Sequence, residues 1–370
     1  MILHLLFDDK FADYVIDLFG EIKEVKSTFA FISYEDKIRY IKQIDKIDFF
    51  YINKGGIEQL LSNINKYNAV VFHGAFYPWQ EEILKLIPNN IHKIWHVWGG
   101  EIYGQSDLSC TFLAPLTKKI NHFHKLFKKK TSNYIFPKKL FKKFNYCLTS
   151  IEEEYIFVRD YIGIDNDFKY LWYSCYTIED TIGKSLLNEE CSGNNIWLGN
   201  SATIENNYFD IFLYLKRYLN IENRKIIVPL SYGAPWIRNY IIKLGNLLFK
   251  NKFSPIINFL PREVYNSKML DCSVMIQPHW RQQAHGNILT GLWLGMRVYL
   301  SKKSIEYKFL KRIGIIVFSI EDDLNKNSAI FARLSNEEMN INRKILTEHY
   351  GKKKVKEAIF NIAIEIDKKK

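Results

Sequence analysis

A 370-residue chain that is 47% hydrophobic and 15% aromatic has enough apolar material for two domain cores, which excludes a disordered or fibrous polymer. No run of about 18 apolar residues occurs, so no bilayer-spanning helix is predicted. The formal charge of +12 is local: ten lysines and no acid lie between Asp107 and Glu152, leaving 42 basic against 40 acidic residues elsewhere.

In chain order, the start MILHLLFDDKF lacks the basic region and small-residue cleavage site of a signal peptide, and its acids arrive by Asp8. A first core strand, Ile2 to Phe7, is predicted instead. Strands follow at Phe29 to Ser33, Phe49 to Ile52, Ala69 to His73, Lys93 to Trp98 and Tyr146 to Thr149. Helical periodicity fits Asp13 to Phe19, Ile57 to Ile64 and Glu81 to Ile87 between them. From Ser174 to Asn195 the pattern fades into polar residues, read as a linker. The second half restarts with strands at Ile196 to Leu198, Lys225 to Val228, Ile256 to Phe259, Ser273 to Ile276, Val298 to Leu300 and Ile315 to Phe318. Two helices close the chain, Asn336 to His349 and Lys352 to Ile366. Alternating strands and helices on both sides of a linker predict an α/β protein of two doubly wound, Rossmann-like domains facing a cleft. The expected boundaries are 1–175, 176–345 and a C-terminal helix over 346–370. Cys110, Cys147, Cys175, Cys191 and Cys272 form no CxxC pair and read as reduced cytosolic thiols.

Within the lysine-rich window, Leu113, Leu116, Ile120, Phe123 and Phe127 recur at helical spacing beside Lys118, Lys119, Lys125, Lys128, Lys129 and Lys130. A basic amphipathic helix with aromatics on its apolar face reads as an element for an anionic membrane surface. An ordinary core-facing helix with a solvated lysine face is the alternative. Nucleic acid is disfavoured, because the window contains no arginine.

Polar residues gather at strand ends, where such folds place their chemistry. Met269 to Leu300 reads as strand, polar loop, helix and strand, a βαβ unit whose ligand site lies where the first strand ends. The loop carries His279, Arg281, Gln282, Gln283 and His285, with Gly286 and Asn287 at the helix start. Helix-start N–H groups beside an arginine fork and imidazoles suit a diphosphate. A polar surface loop is the bland alternative. Gly199, Asn200 and Ser201 follow the strand Ile196 to Leu198, where a glycine lets backbone approach a phosphate; simple helix capping would also use these residues. In the first half, His73 and Gly74 end one strand, and Gly99, Gly100 and Glu101 end another. GxGxxG, Walker and GxSxG patterns are absent. Asp165 and Asp167 make a lone DxD triplet, and no metal or cofactor is assigned.

FHGAF, HVWGGEIY, LGNS, VPLSYG and RQQAHGN stand in the order found in glycosyltransferase family 56, which the chain resembles from its first strand to about Ser301. It departs from that pattern at Glu101, where the family carries aspartate, and at His285. The resemblance implies a GT-B fold and a dTDP-activated amino-dideoxy sugar (4-acetamido-4,6-dideoxyhexose type) as donor. It further implies an undecaprenyl-pyrophosphate-linked acceptor at the cytoplasmic face of the inner membrane, in synthesis of common antigen or O-antigen. The second domain would then hold the nucleotide, with Arg281 on the diphosphate and Tyr232 and Gly233 beside the base or ribose. Glu101 is the first candidate for the carboxylate that deprotonates an acceptor hydroxyl, Asp9 the second, and His73 a weaker third. Two other classes compete: a nucleotide-sugar epimerase of the same architecture, and a non-catalytic membrane-surface adaptor.

Overall fold

The computed structural model describes residues 1–35, 37–127, 134–164, 168–221, 223–325 and 328–367. The chain forms two compact units. One comprises Met1–Ser106, Ser132–Thr177 and Tyr350–Lys370, the other Asp107–Thr131 and Ile178–His349.

The first unit is built on seven strands: β1 (Ile2–Leu6), β2 (Ser27–Ser33), β3 (Ile47–Tyr51), β4 (Ala69–His73), β5 (His92–His96), β6 (Tyr146–Thr149) and β7 (Lys169–Trp172). Their order is β3-β2-β1-β4-β5-β6-β7, and every pairing is parallel. The second unit has β8 (Asn195–Leu198), β9 (Ile226–Pro229), β10 (Phe253–Ile256), β11 (Cys272–Gln277), β12 (Arg297–Leu300) and β13 (Phe318–Ser319), ordered β10-β9-β8-β11-β12-β13 and again all parallel. Parallel sheets carry helices on both faces, so their central strands must be apolar throughout rather than alternating. β1, β4, β6 and β11 are indeed buried at every position. Pro255, which cannot donate to a ladder, sits in the edge strand β10. The strand order reverses between β1 and β4 in one unit and between β8 and β11 in the other. Loops leaving those pairs splay apart at their carboxyl ends and open a crevice.

Three expectations of organisation change. The lysine-rich window does not belong wholly to the first unit, because its described residues 107–127 join the second. The helix Pro115–Phe127 packs on the helix Tyr208–Tyr218, with Leu116 and Ile120 against the second core. Asp210 accepts from the amides of Leu116 (2.9 Å) and Thr117 (2.8 Å), and Asn207 accepts from the Ala114 amide (2.7 Å). Polar side chains here do what the hydrophobic pattern could not reveal. The polar stretch after Ser174 is not a loose linker either: Ile178, Ile182 and Cys191 are fully buried, and Asn266 Nδ2 donates to the Thr181 and Ile182 carbonyls. Lastly, the helix Lys352–Asp367 is part of the first unit's core through Val355, Ile359, Ile362 and Ile366, with Lys352 and Lys356 on Glu21. Lys128, Lys129, Lys130 and the Asp165–Asp167 triplet lie outside the described residues.

Candidate functional site

In the second unit, the two loops at the reversal are Gly199–Thr203 after β8 and Pro278–Ala284 after β11. Gly199 has φ 68°, and a Cβ there would stand 2.2 Å from the Tyr208 hydroxyl, so only glycine lets the chain turn. Gly233 (φ 111°) is equally required: a Cβ would meet the Ala202 carbonyl at 2.4 Å, where residues 202 and 233 form a parallel bridge. Side-chain amides tie the loops together. Gln277 Nε2 donates to the Gly199 carbonyl (3.1 Å), and Gln283 Nε2 donates to Asn200 Oδ1 (2.7 Å) and Thr203 Oγ1 (3.1 Å). Asn200 Nδ2 donates to the Tyr232 hydroxyl (3.1 Å), while Asn206 Nδ2 holds the Ser201 carbonyl (2.9 Å) and Thr203 Oγ1 (3.0 Å). Asn200, Ser201, Tyr232 and Gly233 therefore belong to one hydrogen-bonded constellation with the β11 loop.

The β11 loop positions the cation. His279 is fully buried; its Nδ1 lies 3.0 Å from the Arg281 carbonyl, and burial drives its pKa down to about 3. A neutral ring must donate from Nδ1 to that carbonyl, which fixes the loop without adding charge. The Arg281 side chain is only 17% exposed, its Nη1 on the Gln282 carbonyl (3.0 Å) and its Nε 4.0 Å from Glu205 Oε1. The loop ends at Ala284 in the left-handed region (φ 61°), from which the helix His285–Trp293 starts. Its first turn, with His285, Gly286 and Asn287, carries the partial positive charge of a helix N-terminus. Asn287 Nδ2 donates to the Tyr265 hydroxyl (2.8 Å), and His285 Nδ1 pairs with the fully buried Glu306 (3.1 Å). Two backbone turns, an arginine and a helix start thus gather at one reversal point, an arrangement chemically suited to an anion.

In the first unit, β1 delivers Phe7, Asp8 and Asp9 to the reversal, β4 delivers Gly74–Tyr77, and the adjacent β5 delivers Trp98. The β4 loop is rigid because Gln80 pins it: its Oε1 accepts the Phe76 (2.6 Å) and Tyr77 (3.0 Å) amides and its Nε2 donates to the Gly74 carbonyl (2.9 Å). Gly74 (φ 81°) leaves room for the Phe76 ring, which a Cβ would overlap at 2.3 Å. The outcome is an aromatic platform, with Phe7 5.7 Å from Phe76, 5.3 Å from Tyr77 and 5.2 Å from Trp98, centroid to centroid, and Phe11 5.8 Å from Trp98. None of these rings was singled out from the sequence. The available signal was an aromatic residue just past each of three neighbouring strand ends.

The three candidate bases, and Asp8 beside one of them, receive different surroundings. Asp8 is occupied by the Arg39 (2.7 Å) and Tyr40 (2.9 Å) amides. Asp9 is half-buried beside the platform, with Oδ1 on the Phe11 amide (2.8 Å); burial holds its carboxyl above the usual range despite that bond. Glu101 turns into the core: 4% exposed, it accepts from Trp95 Nε1 (3.0 Å) and the Trp98 amide (3.0 Å) through Oε1, while Oε2 is buried without a partner. Burial pushes its pKa up to about 7. This carboxyl locks the turn after β5. His73 is the middle of a buried histidine ladder, 3.0 Å from His4 on one side and 3.0 Å from His96 on the other. Trp98 Nε1, which can only donate, points at His96 Nδ1 (3.1 Å). His73 Nδ1 must therefore donate to His96, and His73 Nε2 must accept from His4. Both nitrogens of His73 are spent inside the core, which leaves no lone pair for a substrate. Among the described residues, no cluster of three His, Cys, Asp or Glu side chains is placed to hold a metal ion.

No family model matches the chain, and no curated protein matches it by sequence. Solved structures do match along nearly its whole length. A glycosyltransferase from Rickettsia africae aligns over 99% of this chain and 98% of its own, at TM-score 0.63 and 13% identity. Anabaena HepE, solved with UDP and glucose, covers 98% and 99% at TM-score 0.59 and 8% identity. The lipopolysaccharide outer core galactosyltransferase WaaB, in its apo form, covers 99% and 100% at TM-score 0.58 and 12% identity. The chain has the GT-B fold of these glycosyltransferases: two Rossmann-like units with parallel sheets of seven and six strands.

Proposed function

We propose that this protein is a metal-independent glycosyltransferase whose second unit holds a nucleoside-diphosphate sugar and whose first unit holds the acceptor. The observation that carries the reading is the furnishing of both reversal points. One has an inward-turned arginine, a helix start and glycine-dependent turns; the other has a carboxylate beside an aromatic platform. Arg281 and the first turn of the His285–Trp293 helix stabilise the departing diphosphate, where negative charge grows in the transition state. Tyr232 and Tyr265 border the nucleoside. Phe7, Phe76, Tyr77 and Trp98 stack on the acceptor sugar, and Asp9 takes the proton of its attacking hydroxyl in an inverting displacement. A raised pKa strengthens Asp9 as a base. HepE was solved with UDP and glucose, which agrees with a nucleotide-sugar donor, and WaaB is a lipopolysaccharide outer core galactosyltransferase, which agrees with a surface-polysaccharide product. The family 56 motifs support the finer reading. They point to a dTDP-linked 4-acetamido-4,6-dideoxyhexose and an undecaprenyl-pyrophosphate-linked acceptor at the cytoplasmic face of the inner membrane. No helix among the described residues is long and apolar enough to cross a membrane.

The test combines nucleotide binding with turnover. dTDP or UDP should raise the melting temperature, and Arg281→Ala should abolish that shift. Asp9→Asn should keep the shift and lower turnover of a lipid-linked acceptor about 100-fold or more, the usual range for a lost general base. Neither nucleotide stabilising the protein would overturn the reading.

A further inference from the structure

We propose that an outer face of the second unit, formed jointly by the helices Pro115–Phe127, Tyr208–Tyr218 and Pro235–Phe249, docks on an anionic lipid bilayer. The sequence pointed only to the first of these helices; the packing of the other two beside it makes the surface. The Pro115–Phe127 helix is fastened to its neighbours by the Asp210 cap and by His124 stacked on Trp236, with ring centroids 3.7 Å apart and 12° between planes. Its apolar stripe then divides. Leu116 and Ile120 line a groove of about 370 Å³ with Phe209, Leu213, Leu244 and Leu247. Beyond them the stripe runs out into solvent: Phe123 is 66% exposed, Leu126 64% and Phe127 87%. Leu213, Tyr240 and Leu247 add exposed apolar surface from the other two helices, Leu247 at 73%. Exposed apolar surface of this extent on neighbouring helices marks an interaction site.

Charge selects the occupant. The three helices carry Lys118, Lys119, Lys125, Lys216, Arg217 and Lys243, all exposed. They contain a single carboxylate, Asp210, which is consumed in capping the first helix. Aromatic and leucine side chains standing out of a face that is otherwise cationic match the boundary between acyl chains and anionic headgroups. A protein partner of ordinary composition would find no acids to pair with its own bases, and nucleic acid gains nothing from a leucine groove.

The proposal extends the lipid-linked acceptor reading and rests on it for its biological sense, but the measurement is independent of it. The full chain should co-sediment with 3:1 phosphatidylcholine–phosphatidylglycerol vesicles, and only weakly with pure phosphatidylcholine. The decisive variant lies on the third helix, outside the lysine-rich window: Leu247→Ser with Tyr240→Ser, at exposed positions, with the melting temperature measured alongside to show that the fold is kept. It should lower the partition coefficient at least ten-fold, and Lys243→Glu should lower it at least five-fold. Wild-type partitioning by both variants would overturn the proposal. So would equal binding to neutral vesicles, or binding to RNA or an acidic peptide with none to vesicles. Nucleotide-induced stabilisation, read in the same samples, separates the cases. Kept while vesicle binding is absent, it sinks the docking surface alone. Lost while vesicle binding persists, it sinks the transferase reading alone.

Discussion

At the scale of single residues, burial sorts groups that look alike in the sequence. Glu101 and Asp9 are both carboxylates just past strand ends, yet one faces Trp95 in the core and the other stands beside half-buried rings. Glu101 has a folded pKa of about 7 against 4.5 when unfolded, so the native state holds its proton more tightly. Its stabilising contribution is complete below about pH 4.5 and fades as pH rises through 7. Glu101→Gln mimics the protonated acid. It should match the wild type in melting temperature at pH 5, exceed it at pH 8, and turn over within a few-fold of it. A loss of activity as large as that of Asp9→Asn, with the pH dependence of melting unchanged, would return the base to Glu101.

At the scale of elements, a helix is placed by its end as much as by its stripe. Pro115 at the first helical position gives up no needed donor, and Asp210 of a distant helix accepts the next two amides and the Thr117 hydroxyl (2.6 Å). This cap acts across the fold, on a residue 93 positions away, so no local pattern announces it. Asp210→Ala should cost about 1–2 kcal/mol in urea denaturation, at the upper end for a lost cap because three donors are stranded. Proteolysis within 115–127 should quicken at the same time. Stability and cleavage both at wild-type levels would show that the helix is held by its apolar contacts alone. The strands tell the opposite story. β1, β4, β6 and β11 were legible to within about a residue or two, because burial on both faces forces an unbroken apolar run. The short edge strand β13 was misplaced toward the apolar residues before it, where two ladder positions leave too little pattern to read.

At the scale of the whole molecule, the two units differ in how they meet acid. The first contains the ladder His4, His73 and His96; burial brings His4 and His96 to about pKa 3 and His73 well below its ordinary value. The second contains His279, also at about 3. Each ring binds a proton more readily when unfolded, so its contribution is present above about pH 6.5 and is lost as pH falls toward 3. Three such groups against one should make the first unit yield earlier. Hydrogen exchange between pH 7 and pH 4 is expected to lose protection in β1, β4 and β5 before β8 and β11. Simultaneous loss in both sheets would show that the ladder does not set the acid limit.

The alternating α/β architecture, the two Rossmann-like halves and the strand ends at which polar residues collect are all written in the primary structure. Those properties follow from local periodicity and from the apolar content a two-sided sheet demands. The sequence also marked Arg281 and the Gly199 turn, since an arginine before a helix start and a glycine after a strand are local signs. Which carboxylate meets the half-buried platform, which histidine is sealed in a ladder, and to which unit the lysine-rich helix belongs are settled by the folded chain. Each of those depends on neighbours tens of residues away, through burial and hydrogen bonds that no window of sequence contains.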